Sequence, residues 1–263
     1  MTRALSKSAV EKLSRTFDVC AKDLVDKLIL LGEFDAVKDC AEVFPLSVFP
    51  DAVGIAPDQR DNLLVYGKMV FNALGPDNNE LRRESLAQAA DILPWIAGRC
   101  ARDALSAQGF GETIYQAADN EEIAHAEAGL LVRSLLSAGI DTTIAAIGGA
   151  LKLFSQHPEQ WTLLREQPDL LRNALEESIR LGSPVHAFFR TAALDTERAG
   201  VPIDEGAKIM CVLGAANTDP GKWHDAESFD ITRNCVGHMG FGAGIHACFG
   251  QHVARSETEA LFG

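Results

Sequence analysis

One cysteine lies in a glycine-rich segment that could hold it as a metal ligand. The segment runs from Phe241 to Gly250 and reads Phe-Gly-Ala-Gly-Ile-His-Ala-Cys-Phe-Gly, so Cys248 comes just before a predicted amphipathic helix that begins near Gln251. Glycines at three fixed offsets are expected to take positive φ and to let the backbone approach a flat ligand closely. Amides near a helix N-terminus stabilise a thiolate, the form of cysteine that binds metals. The alternative is a buried structural cysteine after a turn.

An acid and an alcohol stand side by side inside an otherwise apolar helical pattern. These residues are Asp141 and Thr142, and Gly139 precedes them. A glycine inside a helix costs about 1 kcal/mol relative to alanine, so its presence suggests a need for space. A neighbouring acid and alcohol can pass protons to a bound reactant. The alternative is a helix break followed by a new helix that Asp141 or Thr142 caps.

A carboxylate and a guanidinium stand one helical turn apart at Glu177 and Arg180. Pairs with this spacing usually lie on a solvated face and contribute only a few tenths of a kcal/mol. The spacing alone therefore indicates no function.

Most of the chain has the apolar spacing of helices. The predicted helices are 8–31, a short piece at 35–43, 58–74, 79–108 with a kink at Pro94, 123–156, and two shorter ones after His157-Pro158 and Gln167-Pro168, the second ending at Leu181. A stretch punctuated by Pro45 and Pro50 separates the second and third. Strands are predicted only at 188–193 and 208–213, around turns near Gly200 and Glu205-Gly206. The sequence predicts a mainly α fold with a minor β region.

Composition limits the function classes. The chain has 263 residues, of which 47% are hydrophobic, and a single core holds up to about 250–300 residues, so one domain is expected. Its six cysteines form no C-x-x-C pair, which favours free thiols in a reducing compartment. A net charge of -13 argues against nucleic acid or an anionic membrane as a partner. No apolar run is expected to approach the roughly 20 residues of a membrane span, and the polar start is unlike a signal peptide, so a cytoplasmic protein is expected.

The segment 241–250 matches the F-G-x-G-x-[HR]-x-C-x-G signature of the haem-thiolate monooxygenases, the cytochrome P-450 family. The chain also resembles this family in the order of its Asp141-Thr142 pair, its Glu177-x-x-Arg180 pair and its cysteine segment. The resemblance implies a cytochrome P-450 fold, haem b (iron protoporphyrin IX) as the cofactor and Cys248 as the iron ligand.

The resemblance also implies roles for other residues. In the helix 123–156, Asp141 and Thr142 would deliver protons and Gly139 would make room for dioxygen. Arg233 would join Glu177 and Arg180 in a structural ion-pair network. The haem contacts implied in this way are His246 and Arg190 to the propionates, and Phe241, Gly242 and Gly250 in the cysteine segment. The alternative for Arg190 is an ordinary exposed arginine.

The run from Phe34 to Phe262, including the segments 48–54, 65–67 and 213–217, is similar to bacterial family members that oxidise para-substituted benzoic acids by hydroxylation or O-demethylation. The resemblance implies that Ser134, preceded by Arg133, helps to bind the substrate carboxylate. Ser134, Ala138 and the Asp141-Thr142 pair fall on one helix face at i, i+4, i+7 and i+8. Val185 and Phe188 would form an apolar wall for the ring. Core packing and a solvent-facing serine are the alternatives.

The resemblance implies a monooxygenase that receives electrons from NAD(P)H through a reductase and an iron–sulfur ferredoxin. It covers the middle and haem-binding parts of the family, as one partial domain over 1–263: a mainly helical part (1–184), a β-containing part with the meander (185–235), and the cysteine loop with its helix (236–263). A partial chain is expected to expose apolar faces and to retain haem weakly. The alternatives are a truncated, inactive fragment with weak or no haem binding, and an unrelated helical interaction protein.

Overall fold

The computed structural model describes residues 4–263, and the mainly helical prediction is confirmed. The α-helices in this range are α1 (Lys7–Glu11), α2 (Ser14–Leu31), α3 (Val43–Val53), α4 (Asn62–Ala73), α5 (Glu80–Ala87), α6 (Ala89–Arg99), α7 (Phe110–Asp119), α8 (His125–Gly139), α9 (Asp141–Gln156), α10 (Pro158–Glu166), α11 (Leu171–Gly182), α12 (Leu213–Asn217) and α13 (Gln251–Phe262). A π-helical turn (Ala36–Ala41) and three short 3₁₀ turns connect some of them.

The minor β region consists of two antiparallel pairs. Strand β1 (Ala187–Thr191) pairs with β4 (Lys208–Val212), with Phe188 opposite Cys211. Strand β2 (Thr196–Arg198) pairs with β3 (Val201–Ile203). The predicted turn at Gly200 is confirmed, since its φ of +79° is a conformation that glycine adopts without strain.

The chain divides into two compact units. One comprises the described residues up to Gly148 together with Phe249–Gly263, and the other comprises Gly149–Cys248. In the first unit, α13 packs on α1 and α2, and the core includes Phe17, Phe44, Leu63, Ile96, Leu135 and Ile147. In the second unit, Phe154 makes edge-to-face contacts with Trp161 and Phe229. The expectation of one domain over the whole chain stays a prediction.

Several helix predictions were wrong in detail, and proline accounts for one of them. The predicted helix 8–31 is divided into α1 and α2. Pro45 and Pro50 lie inside α3 instead of in a connecting stretch. A proline in the first turn loses no helical hydrogen bond, and the buried apolar face of α3 stabilises the rest. The predicted helix 79–108 is divided at Gln88 into α5 and α6, and α6 ends at Arg99. Pro94, where a kink was expected, lies inside α6.

A further difference is α7, which the sequence did not predict. Gly109 and Gly111 flank its start, and a Cβ on Gly111 would lie 2.9 Å from the Val53 carbonyl oxygen. These glycines therefore allow close approach to the end of α3, and they weakened the helical pattern.

The expectation that no apolar run approaches the length of a membrane span was also wrong. The stretch His125–Gln156 has a mean hydropathy of 1.5 over 18 residues and is long and apolar enough to cross a membrane. It also carries Arg133 and Asp141 near its middle, where each would cost about 2.5–3.5 kcal/mol in a bilayer. Its first helix, α8, packs against α3, α4, α6 and α7.

Candidate functional site

The helix that carries the acid and the alcohol is interrupted at Ile140. The prediction of one helix over 123–156 was wrong, because α8 ends at Gly139 and α9 begins at Asp141. The hydroxyls of Thr142 and Thr143 donate to the carbonyls four residues earlier, at 2.6 and 2.8 Å. The two threonines thereby supply hydrogen bonds to carbonyls at the end of α8, and these bonds stabilise the helix break.

The Asp141 carboxyl is half-buried beside α4. Its pKa is raised to about 6, chiefly by burial, with Lys68 lowering the pKa and Glu42 raising it by smaller amounts. The carboxyl lies against Gly67, where a Cβ would be 2.5 Å from both of its oxygens. Asp141 can therefore hold and release a proton in the mildly acidic to neutral range.

Gly139 has a packing role that the sequence did not indicate. Its missing side chain leaves the space that the ring of Phe49 occupies, and a Cβ there would overlap the ring. Phe49 is only 2% exposed. The core of the first unit therefore requires glycine at this position.

An exposed stripe runs along α8 at helical spacing. It consists of Leu130, Ser134 and Ala138 and continues to the half-buried Thr142. The Ser134 hydroxyl donates to the Leu130 carbonyl at 2.9 Å. The stripe presents a hydroxyl and small apolar groups side by side.

Arg133 lies off this stripe, near the buried Tyr66 and Cys100. Burial raises the pKa of both side chains, to about 12 for Cys100, and the Arg133 charge opposes the shift. The structure therefore does not bring Arg133 and Ser134 to one face.

A buried acid lies on α13, just after the cysteine segment. Glu257 is fully buried, and among residues 4–263 neither of its carboxyl oxygens has a hydrogen-bond partner. Burial raises its pKa well above the usual range, although the Thr143 hydroxyl lies close enough to oppose this. That hydroxyl already donates to Gly139, so a bond between them would require a proton on Glu257. A protonated, neutral Glu257 follows.

In the second unit, Glu177 and Arg180 form a fully buried ion pair on α11. The Arg180 Nε and Nη2 donate to the two Glu177 oxygens at 2.6 and 2.8 Å. The remaining guanidinium hydrogens reach the carbonyls of Asn217, Ala226 and Ser228. One arginine thus fixes three loop carbonyls around α11.

Arg233 and Cys235 complete this network. Arg233 donates to Glu177 at 3.0 Å and to the carbonyls of Asp225 and Ser228. The Cys235 thiol lies 3.4 Å from the second Glu177 oxygen, and burial raises its pKa to about 12, so it is a donor and not a thiolate. The sequence gave no signal for Cys235 beyond its position two residues after Arg233.

Two further contacts, also missed from sequence, hold the segment that precedes the cysteine. His238 Nδ1 accepts from the Gly240 amide at 3.0 Å, and its Nε2 lies 2.8 Å from Glu176 on α11. Because Nδ1 accepts, the ring is neutral and Nε2–H donates to Glu176. The buried Asn217 accepts from the Met239 amide at 2.6 Å. Both contacts tie this segment to the network around α11.

The cysteine loop has the expected turn, with one difference. Gly242 and Gly244 have φ of +67° and +62°, but Gly250 has φ of −81° and serves as the N-cap of α13. Only two of the three glycines therefore take positive φ. The Cys248 amide donates to the Phe241 carbonyl at 2.8 Å, which closes the loop with the partly exposed sulfur-bearing residue at its end.

The two residues proposed to hold propionates lie on different parts of the second unit. His246 is exposed at the end of a 3₁₀ turn inside the loop. Arg190 is half-buried on β1, with its guanidinium 5.9 Å from the Phe188 ring. Val185 is half-buried just before the strand, and Phe188 is 38% exposed.

A single protein ligand, Cys248, fits a metal whose other ligands come from a macrocycle such as haem. No group of three His, Cys, Asp or Glu residues able to hold a metal ion occurs within residues 4–263. The loop offers one cysteine, positioned by its backbone, at a partly exposed place. A single thiolate is the axial ligand that haem iron takes in one class of haem proteins.

Comparison with known proteins agrees with this geometry. The family model for cytochrome P450 matches residues 79–263. Cytochrome p450 CYP199A2 of Rhodopseudomonas palustris is 45% identical over 99% of the chain, and linalool 8-monooxygenase of Pseudomonas putida is 31% identical over 98%. The crystal structure of P450BioI in complex with an acyl carrier protein aligns with a TM-score of 0.88 at 26% identity, covering 99% of this chain and 70% of that one.

The chain spans 63% and 64% of the length of these two relatives. The family match covers the break at Ile140, the buried pair on α11 and the cysteine loop. The chain belongs to the cytochrome P450 family.

Proposed function

We propose that the protein is a haem-dependent monooxygenase that inserts one oxygen atom of dioxygen into a small organic substrate. The observation that carries the proposal is the closed cysteine loop, which presents Cys248 immediately before α13 in a chain of this family. When bound, haem b supplies the iron at which dioxygen is activated.

The loop residues would hold the cofactor. Cys248 would bind the iron through its thiolate, and Phe241, Gly242 and Gly250 would shape the loop around it. His246 and Arg190 would donate charge-assisted hydrogen bonds to the propionates. In this proposal Glu177, Arg180 and Arg233 have a structural role, because the first two are buried, the third is half-buried, and they bond to one another and to backbone carbonyls of the second unit.

Asp141 and Thr142 would handle protons. A carboxyl with a pKa of about 6 is protonated in an appreciable fraction of molecules near neutral pH and can also return to the ionised form. The Thr142 hydroxyl donates to a backbone carbonyl, so its oxygen remains able to accept.

The proposed substrate class is a para-substituted benzoic acid, hydroxylated or O-demethylated. Support comes from the resemblance of three segments and from the exposed stripe of Ser134 and Ala138, which combines a hydroxyl with apolar surface. Arg133 would act through its charge, since it lies off the stripe. Val185 and Phe188 would contact the aromatic ring.

The first experiment is the difference spectrum of the reduced protein with carbon monoxide, recorded after haem reconstitution. We expect the red-shifted Soret band of thiolate ligation in the wild type and its loss in Cys248→Ala. Cys211→Ala, which removes another partly exposed cysteine, should keep the band. A spectrum that is indifferent to Cys248, or a chain that takes up no haem, would favour the inactive fragment.

The substrate class is tested by titration of the haem spectrum with 4-methoxybenzoic acid and with its methyl ester. The acid should shift the Soret band at lower concentration than the ester, and Ser134→Ala should weaken binding of the acid selectively. Ser155→Ala is the matched control, because Ser155 is also an exposed helix serine that bonds to its own backbone. Equal binding of acid and ester would contradict the assignment.

The proposed partners are an iron–sulfur ferredoxin and its NAD(P)H-dependent reductase, in the cytoplasm. Product formation should require both proteins and should stop when either is omitted. Turnover with the reductase alone would contradict this part of the proposal.

A further inference from the structure

Gly67 is a helical glycine at which the three atoms nearest to an added Cβ all belong to one carboxyl group. It is buried in the interior of α4, where alanine would normally be favoured by about 1 kcal/mol. A Cβ built there would lie 2.5 Å from Oδ1, 2.5 Å from Oδ2 and 2.6 Å from Cγ of Asp141. Real Cβ contacts of this length do not occur, so a methyl group and the carboxyl exclude each other.

We propose that Gly67 is a positioning residue for Asp141, because its missing side chain leaves the space in which the carboxyl lies. The proposal rests on the proposed function only for the use that is made of this acid. The placement itself follows from α4 and the start of α9, which belong to the same unit.

The position of the Asp141 carboxyl beside Gly67 determines its exposure to water and its distance from neighbouring charges. Two charged groups face it: Lys68, next to Gly67 on α4, and Glu42, at the start of α3. Burial is the largest influence on its pKa and outweighs Lys68. An alanine at 67 would turn the short Asp141 side chain out of this position, and a carboxyl that moves toward water returns to an ordinary pKa of about 3.9.

The first test measures the carboxyl directly. In protein labelled with ¹³C at the aspartate carboxyls, the signal that Asp141→Asn removes should titrate near pH 6 in the wild type. In Gly67→Ala the midpoint should fall by about 2 pH units. The matched control is Gly98→Ala on α6, where no atom lies within 4 Å of the added Cβ, and its titration should equal the wild type. An unchanged midpoint in Gly67→Ala would overturn the proposal.

The second test does not depend on assignment or on haem. In an Asp141→Ala background the obstacle is gone, so Gly67→Ala should raise Tm by about 2–4 °C through helix propensity. In the wild-type background the same change should give no rise, or a fall. Gly98→Ala should have the same effect in both backgrounds. Equal effects of Gly67→Ala in the two backgrounds would show that the methyl group does not meet the carboxyl.

The third test concerns use of the acid. In haem-loaded protein with its redox partners, Gly67→Ala should lower the fraction of NAD(P)H electrons that reach product, as Asp141→Asn does, while Gly98→Ala should not. A chain that binds no haem would refute the proposed function but leave the titration and the stability cycle readable, so the two failures are distinguishable.

Discussion

Replacement of Glu177 by glutamine tests the buried network of the second unit most directly. Glu177 accepts from Arg180 through both oxygens, from Arg233 at 3.0 Å and from the Asp230 amide at 3.2 Å. Its side chain and that of Arg180 are fully buried. Glutamine keeps the size of the Glu177 side chain but removes its charge. Its NH₂ group would also face the N–H donors that now bond to a carboxylate oxygen.

The expected loss follows from burial. Removing one partner of a buried ion pair costs about 3–5 kcal/mol, because the other charge remains unpaired away from water. A domain has only about 5–15 kcal/mol of unfolding free energy in total. With a urea m-value of about 1–3 kcal/mol/M, the unfolding midpoint should fall by at least about 1 M.

The assay is urea unfolding followed by circular dichroism at 25 °C. Glu11→Gln is the matched control, because Glu11 pairs with Lys7 at 3.8 Å with both side chains more than 60% exposed. A surface pair contributes about 0–1 kcal/mol, so its midpoint should hardly move. If Glu177→Gln unfolds within 1 kcal/mol of the wild type, the argument from buried charge is refuted.

Three other predictions concern single side chains. Cys235→Ala removes the thiol that faces Glu177 and should lower the free energy of unfolding by about 1–2 kcal/mol in urea titrations, whereas native Cys235 should resist iodoacetamide at pH 8 because burial raises its pKa to about 12. Glu257 stays protonated in the folded chain while it ionises near pH 4.5 in the unfolded chain, so the free energy of unfolding should fall as pH rises above that value, by up to about 1.4 kcal/mol per pH unit. Glu257→Gln should remove this slope, and an unchanged slope would count against a protonated Glu257. Gly242→Ala should cost about 1–2 kcal/mol for its positive φ plus a further amount for the His246 carbonyl 3.0 Å from the new Cβ, and Gly200→Ala, which also has positive φ but open space, should show the first cost alone.

The sequence predicted most of the helices and the strands β1 and β4 because their residue patterns are strong, but it missed the short strands β2 and β3. It failed where close packing overrides local preference. Pro45 and Pro50 suggested a connection, yet the buried face of α3 holds both in a helix. The break at Ile140 was only an alternative in the sequence, because a threonine that bonds back to its own helix does not alter the apolar pattern.

The candidate site was predictable to the extent that it lies in contiguous motifs. The cysteine loop, the acid–alcohol pair and the Glu177–Arg180 pair are short segments with fixed spacing. Partners from distant segments were not predictable. Gly67 and Asp141 are 74 positions apart in sequence but in contact in the structure. The sequence around a glycine does not indicate which distant side chain will pack against it.

The neutral ring of His238 has a consequence for which residues this position can accept. It receives a hydrogen bond from the Gly240 amide on one edge and gives one to Glu176 from the other. Among the common side chains, only an uncharged imidazole offers an acceptor and a donor on opposite sides of a rigid plane. Lysine and arginine lack the acceptor, and glutamine carries both groups on one flexible end. His238 thus holds the segment before the cysteine loop, ten residues before Cys248, and few other side chains could replace both of its hydrogen bonds.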